Sequence, residues 1–146
     1  CENETFSFND FFSCHYSEKY KKKVLFMQLY HFKRQKNYGP LLNYCYNIVD
    51  ENRTLGKINE FIFYIDLQHA KMRQIDTDFI KKLIKELEVK YPDLSERIYL
   101  ANIPAFFKVC YSIVKVALHK DTRKKVFFEK KSNGKTNFTN NIDEII

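Results

Sequence analysis

Glycine is scarce in this chain, with 3 among 146 residues. That scarcity excludes the phosphate-cradling loops of Walker and dinucleotide-binding proteins, which need glycines clustered in one turn. Proline is equally scarce, at 3. No proline- or glycine-rich linker divides the chain, so its length suits a single core. The cysteines are Cys1, Cys14, Cys45 and Cys110, with no C-x-x-C spacing. A zinc site of that kind is therefore excluded, and free thiols in a reducing, cytoplasmic setting are expected. None of His15, His31, His69 and His119 lies in an H-E-x-x-H or nucleophile-elbow pattern, so neither catalysis nor a metal or cofactor is expected. No apolar run reaches the roughly 20 residues that a membrane-spanning helix needs.

The residues that are abundant point to a packed protein with an anionic partner. Hydrophobic residues make up 45% of the chain and aromatics 16%, too much apolar mass for a disordered segment. The net charge of +7 favours a membrane surface or a nucleic acid, and charge alone does not choose between them. Lysines interleave with tyrosines and phenylalanines, as base-stacking platforms require. No nucleic-acid-binding motif accompanies them, so nucleic acid is the less favoured partner.

The order of elements predicts an α/β fold. Residues 1–23 are polar and aromatic, end in the basic run Lys19–Lys23, and read as an N-terminal extension or the remnant of a preceding helical region. Val24–Phe32 reads as a strand. Leu41, Leu42, Cys45, Ile48 and Val49 recur at helical spacing, giving a helix from about Pro40 to Asp50. Phe61–Leu67 is a continuous apolar run interrupted by Asp66, as in a strand buried on both faces. Asp76 is a good N-cap for the clearest amphipathic helix, with Phe79, Ile80, Leu83, Ile84 and Leu87 on one face and Lys81, Lys82, Lys85 and Glu86 towards water; Pro92 stops it. Arg97–Ile103 and Lys125–Phe128 read as strands, and Ser132–Asn141 as a loop. Alternating strands and helices imply a mainly parallel sheet flanked by helices.

The segment Pro104–Leu118 is unusual. Its polar positions, Lys108, Ser112, Lys115 and His119, form one narrow stripe, whereas an ordinary surface helix has a narrow apolar stripe. Such a helix is either central to the core or covers something apolar that is not protein.

The residues around it carry a resemblance. Tyr91-Pro92-Asp93, then Ile98 to Pro104, then Lys115, then Thr122-x-x-Lys125, with Tyr64-Ile65-Asp66-Leu67 upstream, resemble the CRAL-TRIO lipid-binding domain. Ile75–Phe79 and Phe6–Asp10 are similar to segments of that domain in motile-sperm-domain-containing tether proteins. The resemblance implies that residues 24–146 form a CRAL-TRIO-like domain, truncated at its C-terminal end, with residues 104–118 as a mobile apolar lid. Phe106, Phe107, Cys110, Val114 and Ala117 are then expected to line a pocket for a phospholipid or other hydrophobic ligand. Asp93, Thr122 and Lys125 match the family's headgroup residues for phosphatidylinositol, and Lys108 and Lys115 would meet an anionic membrane. The implied protein is non-enzymatic, cytoplasmic and peripheral to membranes. It would bind lipid, with transfer between membranes as a further step, or act as a membrane-targeting or tethering module without an exchangeable ligand, with partner proteins bound through other parts of a longer parent chain.

Overall fold

The computed structural model describes residues 6–145; Cys1 lies outside them. Six strands form one sheet in chain order: β1 (Phe12–Ser17), β2 (Lys22–Gln28), β3 (Phe61–Asp66), β4 (Ser95–Ala101), β5 (Val126–Ser132) and β6 (Lys135–Thr139). The pairings β2–β3, β3–β4 and β4–β5 are parallel, and the outer two are antiparallel. The fold is thus α/β with a mixed, mostly parallel sheet. Parallel neighbours require crossovers. These are α2 (Gly39–Asn52), α3 (Thr77–Lys90) and α4 (Phe107–Val114); α1 (Phe8–Phe11) and α5 (Lys120–Arg123) are single turns.

Strand order that follows chain order, with one crossover hand, sends successive helices to one face. The burial agrees. Leu25, Met27, Phe61, Phe63, Leu100, Val126 and Phe128 of the sheet pack with Leu41, Cys45, Val49, Phe79, Leu83, Phe107 and Cys110 of the helices in one core. Val24, Ile62 and Tyr99 point the other way, into a smaller cluster with Tyr20, Phe26, Tyr64, Phe127 and Phe138. There Tyr99 stacks on Tyr20 at 5.5 Å and lies 4.5 Å from the Phe138 ring.

Local chemistry accounts for most element ends. Asp76 caps α3 by accepting from the Phe79 N–H at 3.2 Å, and Pro40 occupies the first turn of α2, where its missing N–H costs nothing. Four expectations are revised. The stretch read as an N-terminal extension supplies α1 and β1, because Phe11 and Phe12 are fully buried against the sheet. The strand expected to reach Phe32 ends at Gln28 and tightens into a 3-10 turn. Glu86, expected to face water, is half-buried and accepts from Tyr46 Oη at 2.7 Å. The loop expected at 132–141 is a hairpin: Asn133 and Gly134 have φ of 53° and 74°, the left-handed pair that a tight two-residue hairpin turn demands.

Candidate functional site

The segment expected as a 104–118 helix is shorter. Asn102 adopts φ 54°, a conformation asparagine tolerates better than most residues. It is held there by its N–H to Glu129 Oε1 at 2.7 Å and its Nδ2 to Asp66 Oδ1 at 2.9 Å. The Pro104 carbonyl then accepts from the Phe107 N–H at 3.0 Å, closing a turn that delays the helix to Phe107. After Val114 the chain tightens into a 3-10 turn over Lys115–Ala117.

Beneath α4 lies a cavity of about 640 Å³, between the helix-bearing face of the sheet, α3 and α4. That falls within the roughly 300–1,000 Å³ of ligand pockets. Of the expected lining residues, the structure places Phe107, Cys110, Val114 and Ala117 around the cavity and Phe106 away from it, and it adds Tyr111 and Leu118. Phe11 and Phe32, whose rings are 5.3 Å apart, belong to its far end. Burial raises the Cys110 thiol and the Tyr111 phenol above their ordinary values, so both stay neutral and the wall carries no charge there.

The cavity is chemically lopsided. Its charged and small polar lining residues, Lys85, Glu88, Asp93, Ser95, His119, Asp121, Thr122 and Lys125, come from the last turns of α3 and from the segments that lead into β4 and β5. They therefore gather where the parallel strands begin. Leu29, Leu67, Ile75 and Phe79 line the opposite end.

Lys125 organises the polar end. Its ammonium donates to Ser95 O at 3.0 Å and Asn59 Oδ1 at 3.2 Å, and lies 3.7 Å from Asp93 Oδ1. Its N–H donates to Thr122 O at 2.9 Å. Asp93 and Thr122 are thus brought to Lys125, the first by its carboxylate and the second through the backbone. Asn59 and Asp93 both take positive φ, 53° and 57°, and the Asn59 N–H donates to Asp93 O at 2.7 Å. Asn59, Ser95 and Glu88 went unread in the sequence, and Lys85 was read only as a water-facing helix residue. The one available signal was the tolerance of asparagine for the left-handed region, which marks a turn and says nothing of a lysine 66 residues away.

The two lysines expected at the membrane surface lie outside the pocket. Lys108 pairs with Asp143 at 3.5 Å, and Lys115 is exposed on the outer side of the lid. Glu88 Oε2 accepts from the His119 N–H at 3.0 Å, tying the lid's end to α3. His119, expected on the lid's polar stripe, caps α5 by accepting from the Asp121 N–H. Among the described residues no three His, Cys, Asp or Glu side chains converge as metal ligands.

Comparison with known proteins places this architecture. The sequence profile of the CRAL/TRIO domain matches residues 7–145, nearly the whole chain. The chain belongs to the CRAL/TRIO family. No curated protein matches it by sequence. Among solved structures, the crystal structure of Sfh5 superposes on this CRAL/TRIO domain with a TM-score of 0.70 at 17% identity. The match covers 86% of this chain and 51% of that one, so the domain spans about half the length of that structure. Identity so low speaks to the fold alone. CRAL/TRIO domains typically bind hydrophobic ligands, and a cavity with apolar walls suits that chemistry. No helix among the described residues is long and apolar enough to cross a membrane.

Proposed function

We propose that this domain binds a phospholipid or other hydrophobic ligand without catalysing its conversion, with α4 and the following turn as a lid. The observation that carries the reading is the cavity's polarity: apolar walls along its length and polar side chains collected at one end. Each buried CH₂ of an acyl chain contributes about 0.8 kcal/mol, so the apolar length holds the chain while Lys125, Asp93 and Thr122 receive the headgroup. Lys125 would meet a phosphate as a point charge, exchanging its contacts with Asn59 and Asp93 for phosphate oxygens. The domain then works in the cytoplasm, at the surface of anionic membranes, where Lys115 is available to lipid headgroups.

Organic extraction of the purified protein followed by mass spectrometry tests this. A stoichiometric lipid is expected, and uptake of labelled phosphatidylinositol from vesicles should follow. A protein that carries no lipid and takes none up sinks the reading.

A second reading is a tethering module without exchangeable ligand. It draws on the likeness of Phe6–Asp10 and Ile75–Phe79 to the tether proteins, and on Lys125 being already held by protein oxygens. Under it, vesicle binding persists while no lipid is extracted.

A further inference from the structure

Single exposed apolar side chains are ordinary on protein surfaces; their convergence on one rim is not. The three most exposed large hydrophobic side chains among the described residues are Leu55 (82%), Val89 (77%) and Val116 (72%), and Ile58 follows at 61%. They come from three separate parts of the chain: the α2–β3 loop, the end of α3 and the end of the lid. Parallel topology sends all three to the edge where β3, β4 and β5 begin. The contacts agree. The Asn59 N–H donates to Asp93 O, Lys22 Nζ donates to Asn59 O at 2.7 Å, and Glu88 holds His119. The same rim holds Asp93, Thr122 and Lys125, the polar end of the cavity.

The turn that displays Leu55 is braced. Buried Glu60 accepts from the Thr54 N–H at 2.7 Å and from Thr54 Oγ1 at 2.9 Å, with Lys23 at 3.6 Å. The Lys57 N–H closes onto Thr54 O at 3.1 Å. Gly56, at φ 81°, forms the tip with nothing near it. Leu55 is therefore held outward by a structured turn. Exposed cations interleave with the apolar points: Arg53, Lys57, Lys90 and Lys115. Several neighbouring acids are engaged, Asp50 by Tyr91 Oη and Arg53, Glu88 by the His119 N–H, and Glu96 by Lys22. Separate apolar points ringed by positive charge fit the interface of an anionic bilayer, where apolar side chains enter the acyl boundary and cations stay among headgroups.

We propose that this edge is the membrane-docking surface, with the 54–57 turn and Ile58 as a wedge that enters an anionic bilayer. The inference extends the lipid-binding reading, since docking in this pose sets the polar end of the cavity against the headgroups.

The chain has no tryptophan, so Leu55→Trp provides a single fluorophore. Its emission should shift to the blue on phosphatidylcholine vesicles that contain phosphatidylserine, whereas Tyr30→Trp, at the opposite edge, should not respond. Leu55→Asp with Ile58→Asp should lower the vesicle-bound fraction by roughly tenfold or more, leaving the lipid extracted from the purified protein unchanged. Unshifted Leu55→Trp emission on these vesicles, a shift confined to Tyr30→Trp, or a shift produced by an oligonucleotide but not by vesicles would each overturn the proposal. A shift on vesicles by a protein that carries no lipid and takes none up upholds the docking surface and removes the pocket reading.

Discussion

Lys125 sits at the meeting point of three loops, and its ammonium has protein oxygens for partners before any ligand arrives. Two consequences of removing it can be separated. Lys125→Met keeps the aliphatic stem and deletes the charge. Losing a charge-assisted bond to a phosphate costs roughly 1.5–3 kcal/mol, about one to two decades in affinity. Phosphatidylinositol uptake should fall by that factor. Phosphatidylcholine uptake, governed by the apolar wall, should change little. Ser95 O and Asn59 lose a donor as well, so thermal melting should show a loss of about 1 kcal/mol. Equal uptake of both lipids by the variant and the native protein would mean that Lys125 is a loop staple without a role in headgroup recognition.

Among the elements, α3 and α4 are built on opposite logic. The N-terminus of α3 is tightly specified: Asp76 accepts from the Phe79 N–H and, at 2.7 Å, from Tyr38 Oη, with Arg34 at 3.8 Å. Burial pushes the Asp76 carboxyl up, but the Tyr38 hydroxyl, the Phe79 N–H and Arg34 together outweigh it and hold the carboxyl below its ordinary range. A depressed folded-state value stabilises the fold fully above the unfolded value of about 3.9 and loses that contribution as pH falls through the lower, folded one. Asp76→Ala should therefore destabilise the protein by about 1 kcal/mol at neutral pH, and the gap should narrow as the pH is taken below about 4. Urea unfolding across that range checks both parts. A gap that stays constant with pH would assign the effect to packing. By contrast, α4 begins without a side-chain cap and its outer face exposes Val109 and Ile113. A helix that shows apolar residues to both cavity and solvent is suited to moving between a protein wall and a lipid interface.

For the molecule as a whole, charge and apolar points would play separable parts in the proposed docking. A net charge of +7 acts at a distance and is screened beyond about 10 Å at 0.1 M salt; the wedge residues act only on contact. Vesicle flotation should therefore weaken steeply with added salt and with removal of phosphatidylserine, because approach depends on the cations. Undiminished flotation with neutral vesicles at about 1 M salt, where the screening length is roughly 3 Å, would make the basic surface incidental.

Periodicity among near neighbours already determined α2, α3 and β3, since which face of a helix or strand is apolar depends on residues a few positions apart. The Asn133-Gly134 hairpin was equally local, and its turn signal stood in the sequence unread. The Pro104–Leu118 helix starts late because a positive φ at Asn102, enforced by Glu129 and Asp66, redirects the chain before the helix can begin, and it ends early where Lys115–Ala117 tightens into a 3-10 turn. The alternation of strands and helices established the sheet's class. Its strand order, and hence a single helix-bearing face, came from how the crossovers pack. Asp93, Thr122 and Lys125 were legible as a motif, whereas Asn59 and Ser95, the acceptors that position Lys125, were not. They are joined only when three loops meet at one sheet edge. The cavity is likewise a volume between elements, and its size depends on how far α4 stands from the sheet, a distance set by the packing of Phe107, Tyr111 and Phe128 and written in no single segment.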